Sequence, residues 1–417
     1  MPIPIPGRQY TIQDENSLSQ IAARAYGDFT LWPRIWEANQ FKLKSGDPNV
    51  IFPGEVIIIP LLPEREIVKA STSDKNLSGK AKDEITIVID GLEIIPTSTK
   101  IIRTMHTAAD GWSATIPWQE GEDPELDKRV APYAYPPAAV YIGGELIING
   151  LLYTPQSSKS ADGTVKHLQG FSFTADLIDS TMKPPYEKNN VTLKQRADEL
   201  VKPFGIDAIF NDDFGGPFDR VTAKETDSVF SHLLLLAKQR SLLISSTEDG
   251  NLSFTKAAKG KPVTTLEEDK QGAQAFNATF DGRKRFNTYR ALGQSPLGAK
   301  VGIAKDSKVP RSRFFTFQAD ETISGDIEQA AKWQRSKQLA EALTIPFPVT
   351  SWFDQEGRRW KENTLIEVVS PTLHLSKGFT FLIKSVEYND STTGKTATLN
   401  LIPPQVYTGE ELVDPWS

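Results

Sequence analysis

Four histidines, His106, His167, His232 and His374, carry the only side chains of this sequence that ordinarily titrate close to neutral pH. Imidazole could hold zinc or act as a general base, but metal ligands come in closely spaced sets. None of the four has a second ligand at such spacing, so each is expected on the surface or satisfied in a core. There is no cysteine, hence no thiolate and no disulfide. No Gly-x-Ser-x-Gly elbow, His-Glu-x-x-His pair or phosphate-binding loop occurs. "NDDFGG" at Asn211 to Gly216 lacks the ligand spacing of a calcium loop and reads as a turn. "EED" at Glu267 to Asp269 reads as a solvated charge run. No two carboxylates are paired as in a glycosidase. Arg283-Lys284-Arg285 lies in a β region and is too short for a nucleic-acid groove. The sequence thus predicts no catalytic residue, no cofactor and no metal, and no enzyme.

The chain has 417 residues, enough for roughly two to four domains. It is 39% hydrophobic and 24% charged, as expected of a soluble globular protein. A net charge of −6 argues against coating nucleic acid, which needs clustered Lys and Arg. The absence of cysteine fits assembly in a reducing cytoplasm. "MPIPIPGRQY" has no charged region followed by an apolar one, so no secretory signal is expected. No apolar run approaches the length needed to span a bilayer.

The elements begin with a small unit. Tyr10 and Ile12 alternate with polar residues, which predicts a strand. Ser17 precedes Leu18, Ile21, Ala22 and Ala25, a helix with Ser17 as N-cap, stopped by Gly27-Asp28. Across "LWPRIWEAN", Leu31, Ile35 and Trp36 share a helix face, Pro33 suits the first turn and Asn39 caps the end. A Pro53-Gly54 turn and a strand from Val56 to Ile59 close the unit. The order is β-α-α-β, with an expected core of Tyr10, Ile12, Leu18, Ile21, Ile35, Trp36, Ile51, Val56 and Ile59.

From Tyr10 to Pro60 this pattern resembles a LysM domain. The matching residues are Tyr-x-Ile, the Leu-x-x-Ile-Ala of the first helix, Asn39, Asp47-Pro48-Asn49-x-Ile51 and Pro53-Gly54-x-x-x-Ile58-Ile59-Pro60. Glu15-Asn16 stands where the family has Gly-Asp. The resemblance implies N-acetylglucosamine glycans such as peptidoglycan as the usual ligand, and the departure falls near the loop used for them. The "LWPRIWEAN" form resembles LysM units of phage tail proteins, which implies a protein clamp. Trp32 and Trp36 then read as core and interface aromatics rather than a sugar platform. Glu15, Asn16, Ser17, Trp32 and Asn49 are the candidate contact surface.

Residues 61–84 are polar and without sustained period, a predicted linker. Beyond it come short strands with hairpin turns at Asp90-Gly91 and Gly143-Gly144. An α+β stretch follows. One helix is capped by Thr192 and stops near Pro203 and Gly205; another is capped by Asp227 or Ser228 and leads to a hairpin at Asp249-Gly250. The β pattern returns from Ala273 to Phe317. A helix then covers "GDIEQAAKWQRSKQLAEAL", and closing strands turn at Thr392-Thr393-Gly394. The predicted fold is multidomain α+β: a βααβ LysM domain (1–62), a linker (63–84), a strand-rich domain (85–185) read as a small barrel or sandwich, an α+β domain (186–265), and a second strand-rich domain (266–417) with a helix near 325–343.

The order of "DEITIVIDGLEI", "VYIGGELIINGLLY", "GFSFTADLIDSTM", "TLKQRADELVKPFGI" and "SVFSHLLLLAKQRSLLISSTEDGNLSF", with the closing "WFDQEGRRWKENTLIEVVSP" and "ATLNLIPPQVY", resembles the Mu-type baseplate hub proteins of contractile phage tails. Phage late-control D proteins are related to them. The resemblance implies a homotrimer. It implies too that the two strand-rich domains are related, tube-like antiparallel β-barrels, which would form a pseudo-sixfold ring between the six-fold tail tube and the three-fold spike. The implied partners are the central spike, the tube or its initiator and other baseplate wedge proteins, with peptidoglycan open and DNA only passing through the lumen. The implied place is the virion's tail baseplate, assembled in the host cytoplasm. The competing reading is a peptidoglycan-binding LysM protein carrying a cell-wall or lytic module. Phage and bacteriocin origins both fit.

Overall fold

The computed structural model describes residues 4, 7–14, 16–26, 32–60, 80–105, 107–160, 163–211, 215–270, 281–293, 300–318, 327–408 and 416. The chain divides into two units, Met1–Lys69 and Ala70–Ser417.

In the first unit the predicted order holds: β1 (Gln9–Thr11), α1 (Leu18–Tyr26), α2 (Trp32–Asn39) and β2 (Val56–Ile58). Ser17 caps α1 reciprocally. Its Oγ accepts from Gln20 N at 3.3 Å, and its own N–H donates to Gln20 Oε1 at 3.0 Å. β1 and β2 pair antiparallel with Tyr10 opposite Ile57. Tyr10, Ile12, Leu18, Ile21, Ile35 and Ile59 are buried as expected, together with Ala22, Leu43 and Ile57; Trp36 and Ile51 pack half-buried against them. Val56 is a correction. It is 50% exposed, and Ile57 takes the core place. An unbroken apolar run does not mark which parity faces inward; pairing with Tyr10 does. Gly54 has φ 86°, as its turn with Pro53 requires. Gly27, Asp28 and Leu31 lie outside the described residues.

The second unit opens with β3 (Ile85–Ile89), β4 (Leu92–Ile94), β5 (Ser98–Thr104), β6 (Gly111–Pro117), α3 (Pro124–Arg129), β7 (Pro137–Ile142), β8 (Glu145–Ser160), β9 (Gly163–Ser172) and α4 (Asp176–Asp179). Both predicted hairpins are present. Asp90 and Gly91 have φ 44° and 78°, and Gly143 and Gly144 have φ 59° and 84°. Two successive positive φ values define the turn that matches strand twist. Next come β10 (Glu187–Val191), α5 (Leu193–Val201), β11 (Ala208–Phe210), β12 (Phe218–Thr222), α6 (Val229–Gln239), β13 (Leu243–Ser246) and β14 (Leu252–Thr255). Thr192 and Gln195 form a capping box on α5, Ser228 caps α6, and Gly205 turns left-handed at φ 64° after α5. The chain ends with β15 (Thr265–Glu267), β16 (Thr288–Gly293), β17 (Lys300–Lys305), β18 (Phe314–Gln318), α7 (Ile327–Ala342), β19 (Ile345–Val349), β20 (Leu365–Ser370), β21 (Leu375–Ser391), β22 (Gly394–Ile402) and α8 (Gln405–Thr408).

The early and late strands join in one 12-stranded sheet, ordered β15-β20-β21-β5-β6-β9-β8-β7-β3-β4, with β22 on β21 and β19 on β22. The join is β5 against β21, with Arg103 opposite Val386 and Ile101 opposite Tyr388. One apolar core runs through both parts, from Ile87, Trp112 and Leu168 to Phe347, Val386 and Leu399. Two glycines permit close packing. A Cβ at Gly150 would meet Phe171 O at 1.8 Å, and one at Gly170 would meet Trp112 at 2.5 Å. Between the two sets of strands, α5 and α6 share a core with Phe254, Ile244 and Leu252 of a β11-β14-β13 sheet. Strands β16 to β18 stay outside the large sheet. They form their own sheet, β17-β16-β18, with α7 on it. Gly293 and Gly302 let the start of α7 lie directly on this sheet, because a Cβ there would meet Ile327 at 2.2 and 2.1 Å.

Candidate functional site

Of the predicted LysM contact residues, Glu15 lies outside the described residues. Asn16 Oδ1 accepts from Tyr10 OH at 2.9 Å and from Gln13 N at 3.3 Å, which fixes the turn before α1. Ser17 is occupied as the helix cap. Trp32 is half-buried against the small core. Asn49 is exposed, and its N–H and Nδ2 both donate to Asp47 Oδ1, at 2.8 and 3.1 Å. Phe41 is 95% exposed, and Val50, Phe52 and Val56 are exposed too. Glu55 draws these segments together: its carboxylate accepts from Lys44 N and from Phe52 N, each at 2.9 Å. Those bonds hold its pKa below the usual range, the Lys44 amide most.

A buried polar joint in the second unit was passed over in the sequence reading. Arg103 projects from β5 and is almost wholly buried. Its Nη1 lies 3.2 Å from Asp110 Oδ2 and donates to Ile147 O at 2.8 Å. Its Nη2 donates to Glu362 Oε1 at 2.5 Å and to Ser246 O at 3.2 Å. One guanidinium therefore ties β5, β8, β13 and the loop before β20. Asp110 Oδ1 accepts from Thr104 N at 2.8 Å, and Asp110 N donates to Ser172 Oγ at 3.2 Å. Burial raises the Asp110 carboxyl to about 7, with the Arg103 charge opposing and Glu362 adding to the rise. Burial alone would lower Arg103, but Asp110 and Glu362 outweigh it and keep the guanidinium charged. Two acids share one base, and burial favours the neutral form of Asp110. The signal was in the strand: Arg103 has the inward parity of Ile101 and Met105, both buried.

The histidines are dispersed. His106 lies outside the described residues. His167 is exposed, with Nδ1 3.1 Å from Thr115 Oγ1, and His374 is exposed on a left-handed residue at φ 58°. His232 is buried on α6 with no hydrogen-bond partner for either ring nitrogen. Among the described residues no three His, Asp or Glu gather as a metal site. The acidic run is a correction. Glu268 is not merely solvated: it accepts from Ser370 Oγ at 2.5 Å, Thr372 N at 3.0 Å and Thr372 Oγ1, clamping the turn after β20. Glu267 pairs with Lys270 at 2.6 Å. In the basic run, Arg283 pairs with Asp281 and Arg285 with Asp306, each at 2.8 Å. Residues 212–214 of "NDDFGG" lie outside the described residues.

Three family models match this chain. Residues 10–60 match the LysM domain, 174–256 the second domain of the gp44-like baseplate hub protein, and 325–410 the fourth domain of the Mu phage baseplate assembly protein GpP. The baseplate hub protein gp44 of Escherichia phage Mu is 26% identical over 247 residues, 54% of this chain and 64% of the Mu protein. The match thus spans just under two thirds of that relative. The 43 kDa tail protein of prophage MuSo2 from Shewanella oneidensis is 27% identical and superposes with TM-score 0.68, over 78% of this chain and 99% of that one. A tail protein from Neisseria meningitidis shares the fold at 18% identity and TM-score 0.64, over 78% of this chain and 98% of that one. The chain carries a LysM domain followed by domains of the Mu-type baseplate hub proteins.

Proposed function

We propose that this chain is the hub of a phage baseplate or a related contractile injection device, joining tail tube to central spike as a homotrimer. The observation that carries the reading is the β5–β21 join, which makes one continuous wall from the early and late strands of the chain. If those two sets are versions of one tube-forming unit, three chains supply six such units around an axis. A closed ring of that kind meets a six-fold tube on one face and a three-fold spike on the other. The ring needs an interface above roughly 1,000 Å² in total. The edge strand β19 supports a controlled assembly. Pro346 and Pro348 share one parity and lack N–H groups, so its outer edge is closed to further strand pairing. The LysM unit would act as a protein clamp within the baseplate, on its exposed Phe41, Val50, Phe52 and Val56 surface.

The test is co-expression with the neighbouring spike protein, followed by native mass measurement. Three copies of this chain per complex are expected. Two or four copies would overturn the hub reading.

A further inference from the structure

A cavity of about 380 Å³ opens between the β7–β8 turn and the loop before β20. Its walls include Ile142, Val263, Phe353 and Trp360, and four cations line it: Lys82, Arg358, Arg359 and Lys361. Two of these have close partners, and Lys361 is itself half exposed. Lys82 Nζ donates to Gly357 O at 2.5 Å and sits 4.5 Å from the Phe353 ring centre. Arg358 pairs with Asp354 and Glu356, each at 2.7 Å. Lys361 lies 3.7 Å from Glu248. Arg359 is different. Its side chain is 6% exposed, yet its Nε has no hydrogen-bond partner. The carboxylate facing that Nε, Glu145, is 3.7 Å away and 72% exposed. Arg359 also hydrogen-bonds the Tyr388 hydroxyl, whose pKa burial raises to about 12. Glu248 also feels the Arg359 charge at longer range, but a loose, solvated pair with Glu145 does little to offset a buried guanidinium.

We infer that this cavity receives an acidic side chain of another polypeptide, presented beside an apolar residue. The planar fork of Arg359 suits a carboxylate, and the apolar walls suit its neighbour. Glu145 and Asp354 line the same space and would repel a phosphate dianion more than a carboxylate. The inference rests on the cavity alone and stands apart from the hub reading.

The test uses the full-length chain at constant ionic strength. The probes are the capped dipeptide Ac-Glu-Leu-NH2, its Ac-Gln-Leu-NH2 counterpart and inorganic phosphate. The readout is the Arg359 Nε–H resonance, assigned by its loss in Arg359→Lys. A saturable shift with the glutamate peptide and none with the glutamine peptide is expected. Glu145 is exposed, so Glu145→Gln leaves the fold intact; removing this rival carboxylate should tighten binding about two- to fivefold. No saturation in either protein, an equal response to the glutamine peptide, or tighter binding of phosphate would each overturn the assignment.

Discussion

Arg103 and Asp110 meet at 3.2 Å with both side chains almost wholly buried, and Glu362 meets the same guanidinium at 2.5 Å. Two acids on one base make the joint asymmetric. Arg103→Met would leave the buried Asp110 and the partly buried Glu362 without a counter-charge. It is expected to cost about 3–5 kcal/mol in chemical denaturation. Asp110→Asn removes a carboxyl already inclined to be neutral and should cost less, about 1–2 kcal/mol. Equal losses for the two variants would contradict the asymmetry.

The pH dependence follows from two groups of opposite sign. Burial, with the Arg196 charge adding to it, depresses the His232 imidazole from 6.5 to about 4. Between those values the unfolded chain binds a proton that the folded chain does not, so this contribution is lost as pH falls. The Asp110 carboxyl is raised from 3.8 to about 7. In that window the folded chain holds the extra proton, so this contribution is lost as pH rises. The two contributions to the pH dependence have opposite signs. Denaturation curves from pH 4 to 6.5 should rise with pH in Asp110→Asn and fall with pH in His232→Leu. Identical slopes in the two variants would refute the pairing.

Asn39 holds the LysM unit closed. Its Nδ2 donates to Ile35 O and Ile58 O, both at 2.7 Å, and its Oδ1 accepts from Ile58 N at 2.8 Å. Asn39→Ala removes all three bonds at a buried site. A loss of roughly 3 kcal/mol is expected, enough to unfold so small a unit. Circular dichroism of an isolated 1–62 fragment, with the unsubstituted fragment as the folding control, checks this.

Gly170 lies where any Cβ would collide with Trp112, itself in the large core. Gly170→Ala should lower the melting temperature of the second unit and change its tryptophan fluorescence. An unchanged melt would mean that Trp112 has room to move.

Glycan binding by the LysM unit is expected to be absent or weak. Asn16 and Ser17 are engaged in local hydrogen bonds, Trp32 is half-buried, and among the described residues the exposed aromatics are Phe41 and Phe52. Calorimetry with chitin oligomers and a peptidoglycan pull-down measure it. Tight, saturable binding would move the unit's role from protein clamp to wall contact.

The sequence by itself determined the local elements. Ser17, Thr192 and Ser228 start their helices, and Asp90-Gly91 and Gly143-Gly144 make their hairpins, because caps and left-handed turns depend on a few adjacent residues. It also determined the LysM pattern, whose core lies within some fifty residues. Only the tertiary structure decided which parity of "VIIIP" faces inward, since that depends on Tyr10 lying opposite Ile57. Only it joined β5 to β21, placing Arg103 opposite Val386 across most of the second unit's sequence. It alone showed Glu268 clamping Ser370 and Thr372, and Arg359 buried with its Nε unpaired. These are pairings between residues far apart in the chain. Their register and burial are set by how whole sheets pack, which no window of neighbouring residues encodes.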